Sequence, residues 1–137
     1  MSNGEKITVL VVSVGKYPKV VDIPNTYEGM KKLVGGGLDE YMPFDENIAL
    51  VCNREGKMNN LPMNRAVYFE NSDKISDIIH GDFFLANSNV DAEKYESLSP
   101  EQIEKYRNLF KYPERFTETE HGYTAEKYTP QRADKER

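Results

Sequence analysis

The middle of the chain reads Ile48-Ala-Leu-Val-Cys-Asn-Arg-Glu-Gly-Lys-Met-Asn-Asn-Leu-Pro-Met-Asn-Arg-Ala-Val-Tyr-Phe69, in which a polar loop separates two apolar runs. The run Ile48–Cys52 has the length and composition of a buried strand. The run Ala66–Phe69 is typical of a strand or an ordered extended segment. Between them, Asn53–Arg65 gathers three cations and four side-chain amides. The pattern therefore predicts two strands joined by a long polar loop.

Strand and helix signals continue on both sides of this stretch. Four further segments have strand composition: Ile7–Val14, Val20–Ile23, Leu38–Phe44 and Ile78–Ala86. A helix over 26–34 follows a capping residue and ends at Gly35-Gly36-Gly37, where glycine permits left-handed backbone geometry. A second helix over 99–111 begins with Ser99 as N-cap, and Gln102 completes a capping box. These elements predict an α+β fold, with a mainly antiparallel sheet of about five strands packed by two helices.

The chain of 137 residues is long enough for one domain with a hydrophobic core, which we predict over residues 1–112. Residues 113–137 contain no Val, Ile or Leu and alternate charges with Thr, Gly and Tyr. This composition predicts a charged C-terminal tail that is mobile or depends on a partner for its order. Its aromatic side chains, Phe116, Tyr123 and Tyr128, are candidates to anchor it on the domain.

Composition narrows the classes of partner. The net charge is −5 and the pI is about 5.1, so an acidic surface would repel phosphates and makes nucleic-acid binding unlikely. No apolar run approaches the roughly 20 residues of a membrane helix. The first residues lack the pattern of a secretory signal, which predicts a cytoplasmic location. The oligomeric state has no signal in the sequence.

Catalytic, metal and cofactor motifs are not found. The single cysteine, Cys52, ends an apolar run, and this position predicts a buried thiol in a strand. If Cys52 were instead a nucleophile, it would need His80 or His121 as its base. The histidines and acids lack metal-ligand spacing, and no glycine-rich phosphate loop precedes a helix. We therefore predict no catalytic residue, metal or cofactor, although the sequence leaves enzyme activity open.

The polar loop is the candidate binding site, and two interpretations of it stay open. Its amides and glycine are typical of a braced loop, in which Gly56 would adopt a positive φ and Arg65 would pair with an acid such as Glu40. Cations and amides also suit a pocket for a small anionic ligand. The predicted ligand-binding residues are Asn53, Arg54, Lys57, Asn64 and Arg65.

Tyrosine is abundant, with nine residues and no tryptophan. Tyr27 and Tyr106 occupy helix positions that predict core packing. The tyrosines predicted to contact a partner are Tyr41, Tyr112, Tyr123 and Tyr128.

Four separated motifs together resemble a family of small domains of unknown function found in bacteriophages, plasmids and Gram-positive bacteria. The motifs are Leu33-Val-Gly-Gly36, the block Asn53…Glu-Gly-Lys57…Leu-Pro-Met-Asn-Arg65, Gly81-Asp-Phe-Phe-Leu85 and Ser97-Leu-Ser-Pro-Glu-Gln-Ile103. They span about residues 7–112. The resemblance implies no established activity. It implies a viral or mobile-element setting, in which small proteins modulate a host machine.

The leading functional hypothesis is a non-catalytic binding protein of a phage or mobile element in the bacterial cytoplasm. It would act as an anti-defence inhibitor by binding a host protein or by sequestering a small nucleotide. One alternative is a small enzyme acting on a phosphorylated or nucleotide substrate, with Arg54, Lys57 and Arg65 as an anion clamp. Another is a structural or regulatory subunit that docks through its tail.

Overall fold

The structure is a computed structural model that describes residues 5–130. The start of the predicted domain (1–4) and the end of the predicted tail (131–137) lie outside the described residues. The elements follow the order β1 (Lys6–Val12), β2 (Lys19–Pro24), α1 (Tyr27–Val34), β3 (Leu38–Tyr41), β4 (Ile48–Asn53), β5 (Met63–Tyr68), β6 (Ile75–His80), β7 (Phe83–Asn89), β8 (Lys94–Glu96), α2 (Pro100–Leu109), β9 (Glu114–Thr119) and β10 (Gly122–Lys127).

The main sheet has the strand order β2-β1-β7-β4-β3, and the short β8 pairs with the end of β7. All of these pairings are antiparallel. Leu85 marks the centre of the sheet, because it lies opposite Leu10 on one side and Leu50 on the other. The predicted α+β class, with a mainly antiparallel sheet and two helices, is confirmed.

Both faces of the sheet are covered. On one face, Met30 and Val34 of α1 pack over Val51 and Phe84. On the other face, α2 and the β5–β6 hairpin pack over a second cluster of buried residues that includes Leu50 and Phe83, Val67 and Ile79, and Tyr106 and Phe110. Since β4 and the first half of β7 are buried from both sides, Ile48–Cys52 and Phe83–Ala86 are continuous apolar runs rather than alternating ones.

The helix ends follow the capping signals of the sequence. Thr26 caps α1 by accepting a hydrogen bond from the Gly29 amide at 3.0 Å, and Gly35 ends the helix at φ 82°. The Ser99 hydroxyl accepts from the Gln102 amide at 3.2 Å, and the Ser99 amide donates to the Gln102 side chain at 2.8 Å. The predicted capping box is therefore confirmed. Within the described range, neither helix is long and apolar enough to cross a membrane.

Two local predictions are wrong. The segment Ile78–Ala86 is not one strand, because Gly81 adopts φ 84° and separates β6 from β7. A Cβ atom at Gly81 would lie 2.8 Å from Leu61 Cδ1, so the turn is tightly packed as well as left-handed. Tyr27 is not a core residue: its exposed fraction is 55%, whereas Tyr106 is fully buried as predicted.

The segment predicted as a charged tail contains the β9–β10 hairpin. The two ends of this hairpin are joined by a hydrogen bond, in which the Tyr128 amide donates to the Pro113 carbonyl at 2.9 Å. It contacts the domain through Glu114, whose carboxylate accepts from the Ala66 amide of β5 at 2.9 Å. The Arg115 guanidinium lies 3.9 Å from the centre of the Tyr128 ring. The hairpin therefore rests beside β5, which gives it a place in the candidate site described next.

Candidate functional site

Asn53 braces the beginning of the polar loop. Its amide nitrogen donates to the Val34 carbonyl at 3.2 Å, and its oxygen accepts from the Glu55 amide at 2.8 Å. A Cβ atom at Gly36 would lie 2.8 Å from this amide nitrogen, so the glycine provides the space for it. Asn53 thereby links the end of α1 to the end of β4.

Asn64 and Arg65 form a buried pair, with exposed fractions of 1% and 0%. The β5–β6 register shifts between Met63 and Arg65, which leaves Asn64 without a partner residue on β6. Such a bulge re-aims the strand, and both side chains consequently point inward. The Asn64 amide nitrogen donates to the Val12 and Gly81 carbonyls, each at 2.9 Å. Asn64 thus holds the Gly81 turn against β1.

The Arg65 guanidinium ties three separate parts of the chain together. It donates to Asn64 Oδ1 at 2.9 Å, to the Phe110 carbonyl at 3.1 Å and to the Lys16 carbonyl at 2.6 Å. Burial lowers the pKa of Arg65 to about 10, although Glu114 partly opposes this shift. The expected pairing with Glu40 is wrong, because the Glu40 carboxylate accepts from the Tyr95 hydroxyl at 2.7 Å. Arg65 is a cross-link inside the fold.

The remaining two predicted residues lie at the surface. Arg54 donates to the Leu38 carbonyl at 2.9 Å, and Lys57 forms an ion pair with Asp77 of β6. The structure therefore brings Asn64 and Arg65 together in the interior and places Asn53, Arg54 and Lys57 apart from them. Of these five side chains, that of Lys57 lines the large surface cleft described below.

Gly56 is required by packing and not by its φ angle. A Cβ atom there would lie 2.8 Å from the His80 carbonyl oxygen. The left-handed residue of the loop is Asn60, at φ 55°, so the predicted positive φ at Gly56 is wrong. The His80 imidazole Nδ1 lies 2.9 Å from the Leu61 carbonyl oxygen.

A cleft of about 1180 Å³ lies between the β5–β6 hairpin and the β9–β10 hairpin; we call it the hairpin cleft. Its lining is both aromatic and charged. The apolar and aromatic side chains are Met63, Tyr68, Phe69, Ile75, Ile78, Tyr123 and Ala125; the ionisable ones are Lys57, Asp73, Lys74, Asp77, His80, His121 and Lys127. Three lysines face two aspartates here, in a chain whose net charge is −5.

Two aromatic residues of the cleft are exposed. Phe69 is 57% exposed and Tyr123 is 39% exposed. Phe69 lies at one end of a loop that closes where its amide donates to the Lys74 carbonyl at 3.0 Å. The Phe69 ring, beside the loop that contains Lys74, therefore offers apolar contact area that the rest of the domain does not cover.

Cys52, the predicted strand thiol, is partly buried in β4 and packs against the core. Burial, reinforced by the nearby Asp39 and Asp77 carboxylates, raises the pKa of this thiol to about 11. A thiol with such a pKa is almost entirely protonated at neutral pH and is a weak nucleophile. Among the residues that the structure describes, no three His, Cys, Asp or Glu side chains are grouped to hold a metal ion.

Sequence reasoning did not select Phe69, Lys74 or Lys127 as site residues. The sequence predicts Tyr123 only as one of four tyrosines for partner contact. Lys127 and Phe69 are 58 positions apart in the chain, so no local motif contains them both. The available signal was an aromatic residue that follows a buried strand and directly precedes the turn sequence Glu70-Asn-Ser-Asp73.

The fold and the cleft define a small α+β domain in which an antiparallel sheet, covered on both faces, supports two surface hairpins. The chain belongs to the family described as a domain of unknown function (DUF3846), whose family model matches residues 7–111. This confirms the resemblance to a family of small domains of unknown function. No curated protein and no solved structure matches the chain. One wall of the hairpin cleft, formed by 121–127, lies beyond the matched residues.

Proposed function

We propose that the protein is a non-catalytic binding protein whose ligand occupies the hairpin cleft. The observation that carries this proposal is the lining of the cleft, where exposed aromatic rings and lysines lie on the same concave surface. Ligand sites combine apolar contact area with a few polar groups that set orientation, and the hairpin cleft has both. The ligand carries negative charge, because lysines outnumber aspartates in an otherwise acidic protein.

The binding role is favoured over the enzymatic alternative by the positions of the predicted anion clamp. Arg65 is fully buried and Arg54 is committed to a backbone carbonyl, so Lys57 alone lines the cleft. Cys52 is disfavoured as a nucleophile by its raised pKa. Nucleophilic catalysis needs an activated nucleophile beside a base, and a thiol that stays protonated does not supply that nucleophile.

The biological setting is a further part of the proposal. The sequence motifs resemble a family found in phages, plasmids and Gram-positive bacteria, and we place the protein in the cytoplasm of a bacterial host. There it would act as an anti-defence inhibitor, either by sequestering a small nucleotide or by holding an anionic segment of a host protein. In both cases the ligand leaves the cleft chemically unchanged.

Docking through the tail becomes part of the same proposal. The β9–β10 hairpin forms one wall of the cleft, so truncation after Tyr112 would remove that wall together with the tail. Such a truncation is expected to abolish both small-ligand binding and partner binding. Point substitutions within the cleft therefore separate the hypotheses better than truncation does.

Capture from bacterial lysate tests the proposal. The full chain and its Lys74→Gln/Lys127→Gln variant are incubated with lysate, recovered, and analysed by mass spectrometry for bound small molecules and proteins. A species that is enriched on the wild-type chain, absent from the variant and recovered with unchanged mass supports a binding role. Equal recovery on both chains, or conversion of the bound species, would refute it.

A further inference from the structure

We infer that the hairpin cleft takes a nucleotide, with its base against the Phe69 and Tyr123 rings and its phosphates at Lys74 and Lys127. This inference rests on the proposed function, since it names the ligand class of the same cleft. It concerns a mononucleotide or short oligonucleotide and not a nucleic-acid strand.

The two aromatic rings supply the base contact. Phe69 and Tyr123 are 57% and 39% exposed, and they lie on opposite walls of the cleft, one at the end of β5 and one in β10. A planar base covers aromatic faces efficiently, and such stacking tolerates any base because each base has a π-face. Tyr123 also carries a hydroxyl that can donate to a ribose or phosphate oxygen.

The two lysines supply the phosphate contact. Lys57 is already paired with Asp77, whereas Lys74 and Lys127 form no ion pair with any residue between 5 and 130. Lys127 lies opposite Glu114 in the hairpin, but the Glu114 carboxylate is directed to the Ala66 amide of β5. Both ammonium groups therefore retain donors for an anion, and lysine binds phosphate as a point charge.

Size and surrounding charge limit the ligand further. A cleft of about 1180 Å³ lies above the range of roughly 300–1,000 Å³ that is typical of small-ligand pockets, so it has room for one nucleotide or for two linked nucleotides. A long strand would leave the cleft and meet the acidic surface of a chain with net charge −5. The acidic side chains on that surface would repel each additional phosphate, because salt at ordinary ionic strength does not screen charges that are in contact. Short nucleotides avoid that cost.

Nuclear magnetic resonance titration of the full chain tests the inference. The probes are four nucleoside diphosphates (ADP, GDP, CDP and UDP), the linear dinucleotide pApA, adenosine and inorganic pyrophosphate, each added to millimolar concentration. We expect at least one nucleotide to shift the amide signals of 69–75 and 122–127. We expect it to bind at least tenfold more tightly than adenosine or pyrophosphate, since only the nucleotide engages rings and lysines together.

Matched variants identify the groups responsible. Phe69→Leu keeps an apolar side chain but removes the ring, and Lys127→Gln keeps a polar, slightly shorter side chain but removes the charge. Each is expected to weaken nucleotide binding by about tenfold, which corresponds to about 1.4 kcal/mol. Lys111→Gln, an exposed lysine outside the cleft lining, is expected to leave the affinity unchanged.

The outcomes distinguish this inference from the function on which it rests. Pyrophosphate binding as tight as that of the best nucleotide would show an anion site without base recognition and would overturn the inference. Absence of cleft shifts with all nucleotides would also overturn it. If a poly-glutamate peptide then shifted the same amides, the cleft would remain a binding site of another class; if it did not, and lysate capture also failed, the proposed function would fall too.

Discussion

Replacement of Arg65 by Met tests whether the most polar part of the loop is a structural cross-link. The substitution keeps a flexible apolar stem and removes three hydrogen bonds, to Asn64 Oδ1, the Phe110 carbonyl and the Lys16 carbonyl. A hydrogen bond to a charged group contributes about 1.5–3 kcal/mol, and each buried acceptor left without a donor costs about 1–3 kcal/mol. Removing the buried charge offsets part of this loss, because its desolvation is unfavourable. We expect a net loss of about 3 kcal/mol.

The assay is urea denaturation of the full chain followed by circular dichroism, with Arg54→Met as the matched control in the same loop. Arg54 is exposed and makes one side-chain hydrogen bond, to the Leu38 carbonyl, so its replacement should cost less than about 1 kcal/mol. Arg65→Lys should be at least as damaging as Arg65→Met, since an ammonium keeps the buried charge but cannot reproduce the guanidinium fork. Equal urea midpoints for Arg65→Met and Arg54→Met would show that Arg65 is not a structural cross-link.

Three further substitutions or titrations test the fold around the site. Gly81→Ala should destabilise the protein by about 1–2 kcal/mol in the same urea denaturation assay, because φ is 84° and the new Cβ would contact Leu61. Gly37→Ala is the control, since a Cβ there meets open space, and it should cost less than half as much. Cys52, with its pKa raised to about 11 by burial, should react with a thiol reagent at pH 8 about 100-fold more slowly than in the urea-unfolded chain; equal rates would contradict this. The pKa of Glu46 is lowered from 4.5 mainly by the hydrogen bond from the Tyr106 hydroxyl. The ionised Glu46 therefore contributes its full share to the stability of the fold above pH 4.5. This contribution is lost as the pH falls through the lower pKa that Glu46 has in the folded protein. Glu46→Gln should therefore flatten the loss of stability below pH 4.5, and an unchanged pH profile would argue against this contact.

Local signals allowed much of the fold to be predicted. The capping box at Ser99 and the glycine stop at Gly35 are short-range patterns whose chemistry is complete within one turn. The continuous apolar run of β4 similarly predicts a strand that is buried on both faces. Elements whose support comes from residues distant in the chain are not predicted by such local patterns. The β9–β10 hairpin has few apolar residues and is supported by contacts such as that between Glu114 and β5, which no local pattern reveals.

The candidate site was harder to predict for a related reason. Asn64 and Arg65 have the composition of a ligand site, but a β-bulge turns both side chains into the interior. Sequence alone does not distinguish an inward polar side chain from an outward one, because either direction satisfies its hydrogen bonds. The hairpin cleft combines Phe69 of one hairpin with Lys127 of another, so its existence depends on tertiary packing.

Calorimetric titration of the tightest-binding nucleotide into Lys127→Gln and Lys111→Gln, with the wild-type chain as reference, tests whether the ligand lies in the hairpin cleft. Both variants remove one lysine and change the net charge equally, but only Lys127 lines the hairpin cleft. We expect Lys127→Gln to weaken binding by about tenfold and Lys111→Gln to bind as the wild type does. Equal affinities for the two variants would contradict the assignment of the ligand to the cleft.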